Sequence, residues 1–434
     1  MRIKLLTTLA GLLLAASAWA GPQIQHWTTA HGTQVLFVED HNLPMLDVAV
    51  SFAAGSAHDP AGKAGLAAMV HGLLDHGVEG LAEDEISRKL ADIGAQLGGG
   101  ADADRASVSL RTLSVEREQA LVLMARIVQQ PTFPEAVLAR EKTRVTAALK
   151  EAETKPDFTA SKAFGRAVYG SHPYGLQADV DSVAGINRED VVAFYRAHYV
   201  AAGAVVALMG DVNRAQAEAI AEQLTGQLPA SGAEVAIPPV DPLAVASEQR
   251  IAHPAKQSHI LIGAPGMARN DPDYFALYVG NYVLGGGGFV SRLMEQVREQ
   301  RGLAYDVHSY FMPMQQAGAF QIGLQTKREQ ADEALALVRK VLAEFVAQGP
   351  TEQELKAAKQ NIVGGFPLRV DSNRKILDYL SVIGFYHLPL TYLDDFTGKV
   401  ERVTTAQVRD AFRRKVDPAR MVTVVVGVDA GAAK

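Results

Sequence analysis

Apolar positions along the chain recur with two periods, and the switches between them predict alternating strands and helices. Leu46-Asp47-Val48-Ala49-Val50-Ser51-Phe52 alternates with period two and reads as a strand. Before it, residues 26–29 and 34–39 read as a hairpin that turns at His31-Gly32. Helical periodicity begins at Gly65, after a loop rich in Ala, Gly and Asp. A second helix is predicted over residues 84–97, opened by an acidic turn and stopped by Gly98-Gly99-Gly100. Residues 107–113 read as a strand. Helices follow over 117–128 and 134–153, the latter with Pro134 near its first turn. Two further helices, 158–168 and 187–198, flank a loop, His172-Pro173-Tyr174-Gly175. A strand at 204–212 and a helix at 215–227 complete this half.

Composition then changes. Residues 229–242 carry Pro229, Gly232, Pro238, Pro239 and Pro242 with little periodicity, which is how a linker reads. Beyond it the pattern restarts: a strand at 259–264, a helix at 274–284, and strands at 303–310 and 319–326. The helix from Glu352 resembles the one from Glu135, and the strand at 421–427 answers the one at 204–212. Arg117-Glu118-Gln119-Ala120 recurs as Arg328-Glu329-Gln330-Ala331, each time between a strand and an apolar-periodic helix. The same order of elements on both sides implies an internal repeat of about 210 residues. The expected fold is α+β: two homologous domains, a pseudo-dimer, each a mostly antiparallel sheet covered by helices. The expected divisions are 1–20, 21–228, a linker at 229–242, and 243–434.

The first twenty residues change the picture of where the chain works. Arg2 and Lys4 precede a short apolar run, residues 5–16, and Ala18-Trp19-Ala20 forms a cleavage site. The run is too short to span a bilayer, and no cysteine follows it. A cleaved signal peptide, cut after Ala20, and a periplasmic address are expected, with no membrane attachment afterwards. The 434 residues include no cysteine, so an oxidising compartment is not used for disulfides. A net charge of −6 without a Lys/Arg-rich stripe argues against nucleic acid as a partner.

Candidate chemistry begins at Gly65-Leu66-Ala67-Ala68-Met69-Val70-His71-Gly72-Leu73-Leu74-Asp75-His76. Positions 68, 71 and 72 are related by i, i+3 and i+4 and share one helix face. The inverted zinc motif His-x-x-Glu-His sets two ligands and a general base on such a face. Here the positions hold Ala68, His71 and Gly72. A methyl group and a hydrogen do not bind zinc, and one imidazole does not replace two ligands. The stretch nevertheless resembles, without a gap, the motif region of the pitrilysin/insulinase-type zinc peptidases, which include the mitochondrial processing peptidase. Glu85-Ile86 and Ile93-Gly94-Ala95 fall where that family has its next helix and turn. The resemblance implies a third ligand, a glutamate, on a helix like residues 140–151, where Ala147 and Ala148 stand. It spans essentially the whole mature chain and implies a zinc site lost as a unit, so that no cofactor is expected in this chain. A site rebuilt from His71, Asp75, His76 and Glu151 is the alternative. His71 and Asp75 are i, i+4, but His76 lies about 140° round the helix from His71. The remaining histidines show no ligand spacing.

The second half offers Leu284-Gly285-Gly286-Gly287-Gly288-Phe289 and, further on, Arg298 and Tyr305. Four glycines predict a flexible loop whose backbone approaches another chain closely. No Gly-Lys-Ser/Thr follows, so this is no phosphate loop. Gly302 is expected to end a helix in the left-handed conformation, placing Arg298 in the last turn and Tyr305 at the start of a strand. From the residues alone, Arg298 would be a cation suited to a helix C-terminus and Tyr305 a core tyrosine. The resemblance implies more: an Arg and a Tyr that reach a zinc site from the second half and contact substrate beside the scissile carbonyl. Arg301 is the alternative arginine. Gly285, Gly286, Gly287 and Gly288 are implied to help admit the peptide.

The expectation is therefore a non-zinc subunit of a periplasmic heterodimeric zinc endopeptidase acting on peptides. Its partner would be a zinc-binding paralogue, and the two would close like a clam shell. The alternatives are an inactive peptide-binding or scaffold protein, and an active zinc metallopeptidase through the rebuilt site.

Overall fold

The computed structural model describes residues 22–233 and 236–429; the expected signal peptide lies outside the described residues. The strands are β1 Gln25–Thr28, β2 Gln34–Glu39, β3 Met45–Phe52, β4 Gly77–Val78, β5 Leu81–Ala82, β6 Gln96–Ala101, β7 Ala106–Leu113 and β8 Val205–Gly210, then β9 Ser247–Ala252, β10 Gln257–Met267, β11 Val307–Phe311, β12 Gly318–Lys327 and β13 Val422–Val428. The helices of the first half are α1 Leu66–Gly72, α2 Glu83–Asp92, α3 Arg117–Gln129, α4 Glu135–Ala152, α5 Pro156–Tyr169, α6 Val180–Gly185, α7 Arg188–His198 and α8 Arg214–Thr225. Those of the second are α9 Tyr274–Asn281, α10 Ala331–Gln348, α11 Glu352–Gly365, α12 Asn373–Phe385, α13 Tyr392–Arg402 and α14 Thr405–Lys415.

The pseudo-dimer is visible in the sheets. One runs β1-β2-β8-β3-β7-β6, the other β9-β13-β10-β12-β11 in the corresponding direction. In each, the pair β2–β8 or β9–β13 is parallel and every other pairing is antiparallel. The expected α+β fold with mostly antiparallel sheets is the observed one.

The central strands are apolar without alternation because both faces of each sheet are covered. On β8, Val206 and Leu208 pack into the core with Leu121 and Met124 of α3. Val205 and Ala207 on the opposite face pack with Leu377 and Leu380 of α12. α12 comes from the second half, and α5 of the first half lies on the other sheet, where Phe164 and Val168 cluster with Val422 and Val424. The two halves thus exchange a helix. Glycine makes the exchange possible: a Cβ on Gly384 would stand 2.5 Å from Val205 Cγ1 and 2.7 Å from Leu36 Cδ1. Gly384→Val is expected to cost about 1–3 kcal/mol, seen as a lower urea midpoint. An unchanged midpoint would show that α12 does not sit this tightly on the sheet.

Three expectations need correction. The helix predicted over 84–97 ends at Asp92, where Gly94 turns left-handed at φ +61°, and Gly98-Gly99-Gly100 continues as edge strand β6 paired with β7. Close approach explains the glycines better than helix termination does. A Cβ on Gly99 would meet Ser107 O at 1.9 Å and His71 Nε2 at 3.1 Å. The polar segment β9, to which periodicity assigns nothing, is a strand because it is an edge paired only with β13. The strand expected over 303–310 is confined to β11, so Tyr305 precedes it.

Candidate functional site

Helix α1 starts at Leu66 because Gly65 takes the left-handed conformation, φ +96°. The buried Asp59 carboxylate accepts hydrogen bonds from the Gly65 and Ala67 backbone N–H groups, each at 2.7 Å. Leu66, Ala67, Met69 and Val70 face the core. Ala68 and Gly72 are exposed, and nothing lies within 4 Å of the space a Cβ on Gly72 would take. His71 turns between them and donates from Nε2 to the Ser107 carbonyl at 2.9 Å, across the gap left by Gly99. His71, Gly72, Asp75 and Gly99 line a cleft of about 150 Å³.

Burial pushes the His71 imidazole below its ordinary 6.5. The unfolded chain therefore takes up this proton at higher pH than the folded one. The contribution of His71 to stability is full above pH 6.5 and is lost as the pH falls through the window below it. An imidazole NMR titration is expected to show a midpoint under 6.5; a midpoint at or above that value would mean the buried neutral form has been misassigned.

The residues present do not fit a zinc ion. Ala147 and Ala148 are exposed on α4 and carry no ligand atom. The rebuilt set disperses. His76 pairs with Asp75 at 3.0 Å and Glu83 at 3.4 Å, His71 is engaged with Ser107, and Glu151 pairs with Lys155 at 3.0 Å. Among the described residues no three ligating side chains converge.

The second-half candidates do meet. Arg298 lies in a π-helical turn, Met294–Glu299, which closes when the Gly302 N–H bonds Arg298 O and the Leu303 N–H bonds Val297 O. Gly302 has the left-handed φ, +62°, expected of a helix end. The Arg298 guanidinium carbon stands 4.8 Å from the Tyr305 ring centroid and 4.7 Å from that of Phe289, so the cation is sandwiched between two rings. Both rings are open to solvent, Tyr305 at 78% and Phe289 at 66%, so Tyr305 is no core tyrosine. Arg301 points elsewhere, toward Glu333 at 3.9 Å.

The glycines are not a flexible loop. Gly285 and Gly286 belong to a π-helical turn, Tyr282–Gly286. A Cβ on Gly285 would meet Ser309 Oγ at 2.4 Å, and one on Gly287 would meet Tyr282 O at 2.6 Å. Gly286 packs as closely on Asn281, whose amide bonds Ser309 on β11. Gly288 alone has open space and a positive φ, +61°. Tight packing against β11 demands Gly285, close packing on the preceding helical turn demands Gly286 and Gly287, and the segment leads into Phe289 beside Arg298. Phe289 is the member of this cluster that spacing alone did not single out; its place directly after the glycine run was the available signal.

Two family models match the chain. One for insulinase, peptidase family M16, matches residues 34–178, and one for the peptidase M16 inactive domain matches residues 185–362. A crystal structure of a peptidase M16 inactive domain from Pseudomonas fluorescens superposes with a TM-score of 0.90 at 40% identity, covering 95% of this chain and 99% of that one. The chain belongs to the M16 peptidase family. Its M16 relatives include the non-peptidase homologue YmxG of Helicobacter pylori, 27% identical over 94% of this chain and 95% of that protein. The periplasmic protease PqqL of Escherichia coli shares the fold, with a TM-score of 0.81 at 18% identity over 94% of this chain and 46% of that one. Ala68, His71 and Gly72 lie in the segment matched by the insulinase model, and Arg298 and Tyr305 in that matched by the inactive-domain model.

Proposed function

We propose that this chain is the non-zinc subunit of a periplasmic heterodimeric M16 endopeptidase that acts on peptides. One observation carries the reading: the first-half face ends in a methyl group and a hydrogen, while the second half presents Arg298 between two exposed rings. A chain with only the second part of a site needs a partner that supplies the first. That partner would be a paralogue holding zinc through His-x-x-Glu-His and a distal glutamate. The name of the Helicobacter pylori relative, a non-peptidase homologue, supports a chain that is inactive alone. The signal-like residues 1–20 and the likeness to a periplasmic protease support the address, and among the described residues no helix is long and apolar enough to cross a membrane.

In this reading the residues of this chain bind and polarise. Tyr305 O–H and the Arg298 N–H groups donate to the scissile carbonyl oxygen as negative charge develops there, inside a chamber that excludes water. The glycine segment forms part of the chamber wall and admits the peptide. The test measures zinc content and casein hydrolysis for the mature chain alone and mixed with a zinc-motif paralogue from the same organism. The expected result is no zinc and no hydrolysis alone, and on mixing more hydrolysis than the paralogue shows by itself. If mixing adds nothing, the subunit reading fails and an inactive binding protein remains. Stoichiometric zinc in the chain alone would return attention to His71, Asp75, His76 and Glu151.

A further inference from the structure

Between the two halves lies a cavity of about 560 Å³ whose lining includes neither a residue of α1 nor Arg298. Its walls include the rings of Tyr278, Tyr310 and Tyr386 and the side chains of Met312 and Met314. Asp102, Asp104 and Asn281 also border it, and one guanidinium enters, that of Arg269, from the segment following β10. Arg269 is partly buried, and its Nε is sealed from solvent with no acceptor. Its guanidinium carbon stands 5.2 Å from the Tyr386 ring centroid, a contact that holds the cation without neutralising it.

The acids nearby are all engaged by other groups. Asp271 pairs with Lys415 at 2.5 Å, and Asp273 with Arg414 at 2.5 Å. Asp102 accepts from the backbone of Asp104 and Arg105 and pairs with the Arg105 side chain. Asp104 accepts from the Tyr174 and Tyr386 hydroxyls and from the Gln315 N–H. Arg269 therefore faces the cavity as a cation without a carboxylate among the described residues. A partly buried guanidinium without a partner calls for a planar anion, and its two terminal nitrogens match the two oxygens of a carboxylate. Aromatic rings and thioethers call for an apolar body beside that anion. The volume is in the range that encloses a small organic ligand.

We propose that this cavity binds a monocarboxylate bearing an aromatic or other large apolar group, with the carboxylate on Arg269 and the apolar group among the tyrosines and methionines. A free aromatic acid and the C-terminal residue of a peptide share this chemistry. The site needs no second subunit and stands apart from the heterodimer reading.

Calorimetric titration of the mature chain tests it with N-acetylphenylalanine, its C-terminal amide, and N-acetyl-Ala-Ala-Phe as the free acid. The free acids are expected to bind saturably and the amide at least about tenfold more weakly. Arg269→Gln is expected to bring the acid down to the level of the amide, and Arg269→Lys to retain part of the difference. Met312→Trp, which fills the cavity, is expected to abolish binding. Arg402→Gln, in a separate cleft of about 600 Å³ that also borders Arg269, is expected to change nothing. Tighter binding of the tripeptide supports a peptide C-terminus; equal binding supports a free acid. Equal affinity for acid and amide in the unmodified chain, no saturable binding of either acid up to about 10 mM, or a well-folded Arg269→Gln variant that binds as before would each overturn the proposal.

Discussion

Asp104→Ala is expected to destabilise the chain by at least about 3 kcal/mol, more than any single substitution in the α1 cleft. Asp104 is fully buried in the turn between β6 and β7. Its carboxylate accepts from Tyr174 O–H at 2.5 Å, Tyr386 O–H at 2.8 Å and Gln315 N–H at 2.8 Å. These donors come from the segment after α5, the end of α12 and the connection between β11 and β12, so one carboxylate ties both halves together. Burial and the neighbouring Asp104 push both tyrosine hydroxyls far above their ordinary range, and they remain donors at any working pH. Alanine would leave two buried hydroxyls with nothing to accept from them, each costing about 1–3 kcal/mol, and would free the part-buried Gln315 amide. Tyr386→Phe removes one donor and leaves the others served, so a loss of only about 1 kcal/mol is expected. Urea denaturation distinguishes the two. Near-equal losses for both variants would mean that the carboxylate is not the clamp.

The second large effect is on activity in the mixed enzyme. Under the proposed function, Tyr305→Phe and Arg298→Ala are each expected to lower kcat of the heterodimer about 100-fold. Tyr305→Phe should not alter the stability of this chain by more than about 0.5 kcal/mol, because Tyr305 is 78% exposed; Arg298, 27% exposed and against two rings, is expected to cost about 1 kcal/mol on truncation. Phe289→Ala separates positioning from donation. It removes one face of the sandwich around Arg298 and leaves both donors in place, so a smaller loss in kcat is expected than for either donor. If Tyr305→Phe and Arg298→Ala both leave kcat intact while pairing persists, this cluster has no part in the chemistry.

Much of this architecture was legible because local patterning and tertiary packing demand the same thing. Alternation over β3 reports a sheet with a fully covered face, and the unbroken apolar run of β8 reports burial on both faces. The recurrence of Arg-Glu-Gln-Ala at the start of α3 and leading into α10 reports one unit used twice. The absence of ligand atoms at Ala68 and Gly72 is a matter of composition, and no folding could supply them. Glycine was where local reading misled. Gly98 to Gly100 stop a helix on propensity grounds, and Gly285 to Gly288 read as a loop on the same grounds. A Cβ on Gly99 would strike Ser107 O and one on Gly285 would strike Ser309, neighbours that only the folded chain brings close.

The sequence by itself therefore determined the repeat, the strand and helix order of most of each half, the loss of zinc ligands and the candidacy of Arg298 and Tyr305. The repeat and the order of elements rest on periods of two and 3.6, which are local properties; the zinc positions and the candidacy of Arg298 and Tyr305 rest on the family resemblance of the segments that hold them. Only the tertiary structure decided that α5 and α12 cross to the opposite sheets, that Phe289 completes the Arg298 sandwich, that Asp104 joins the halves, and that Arg269 faces a cavity without a carboxylate. Each of these depends on groups brought together from far along the chain, from Asp104 to Tyr386 in one case. Periodicity says which face of an element is buried, and only packing says against what.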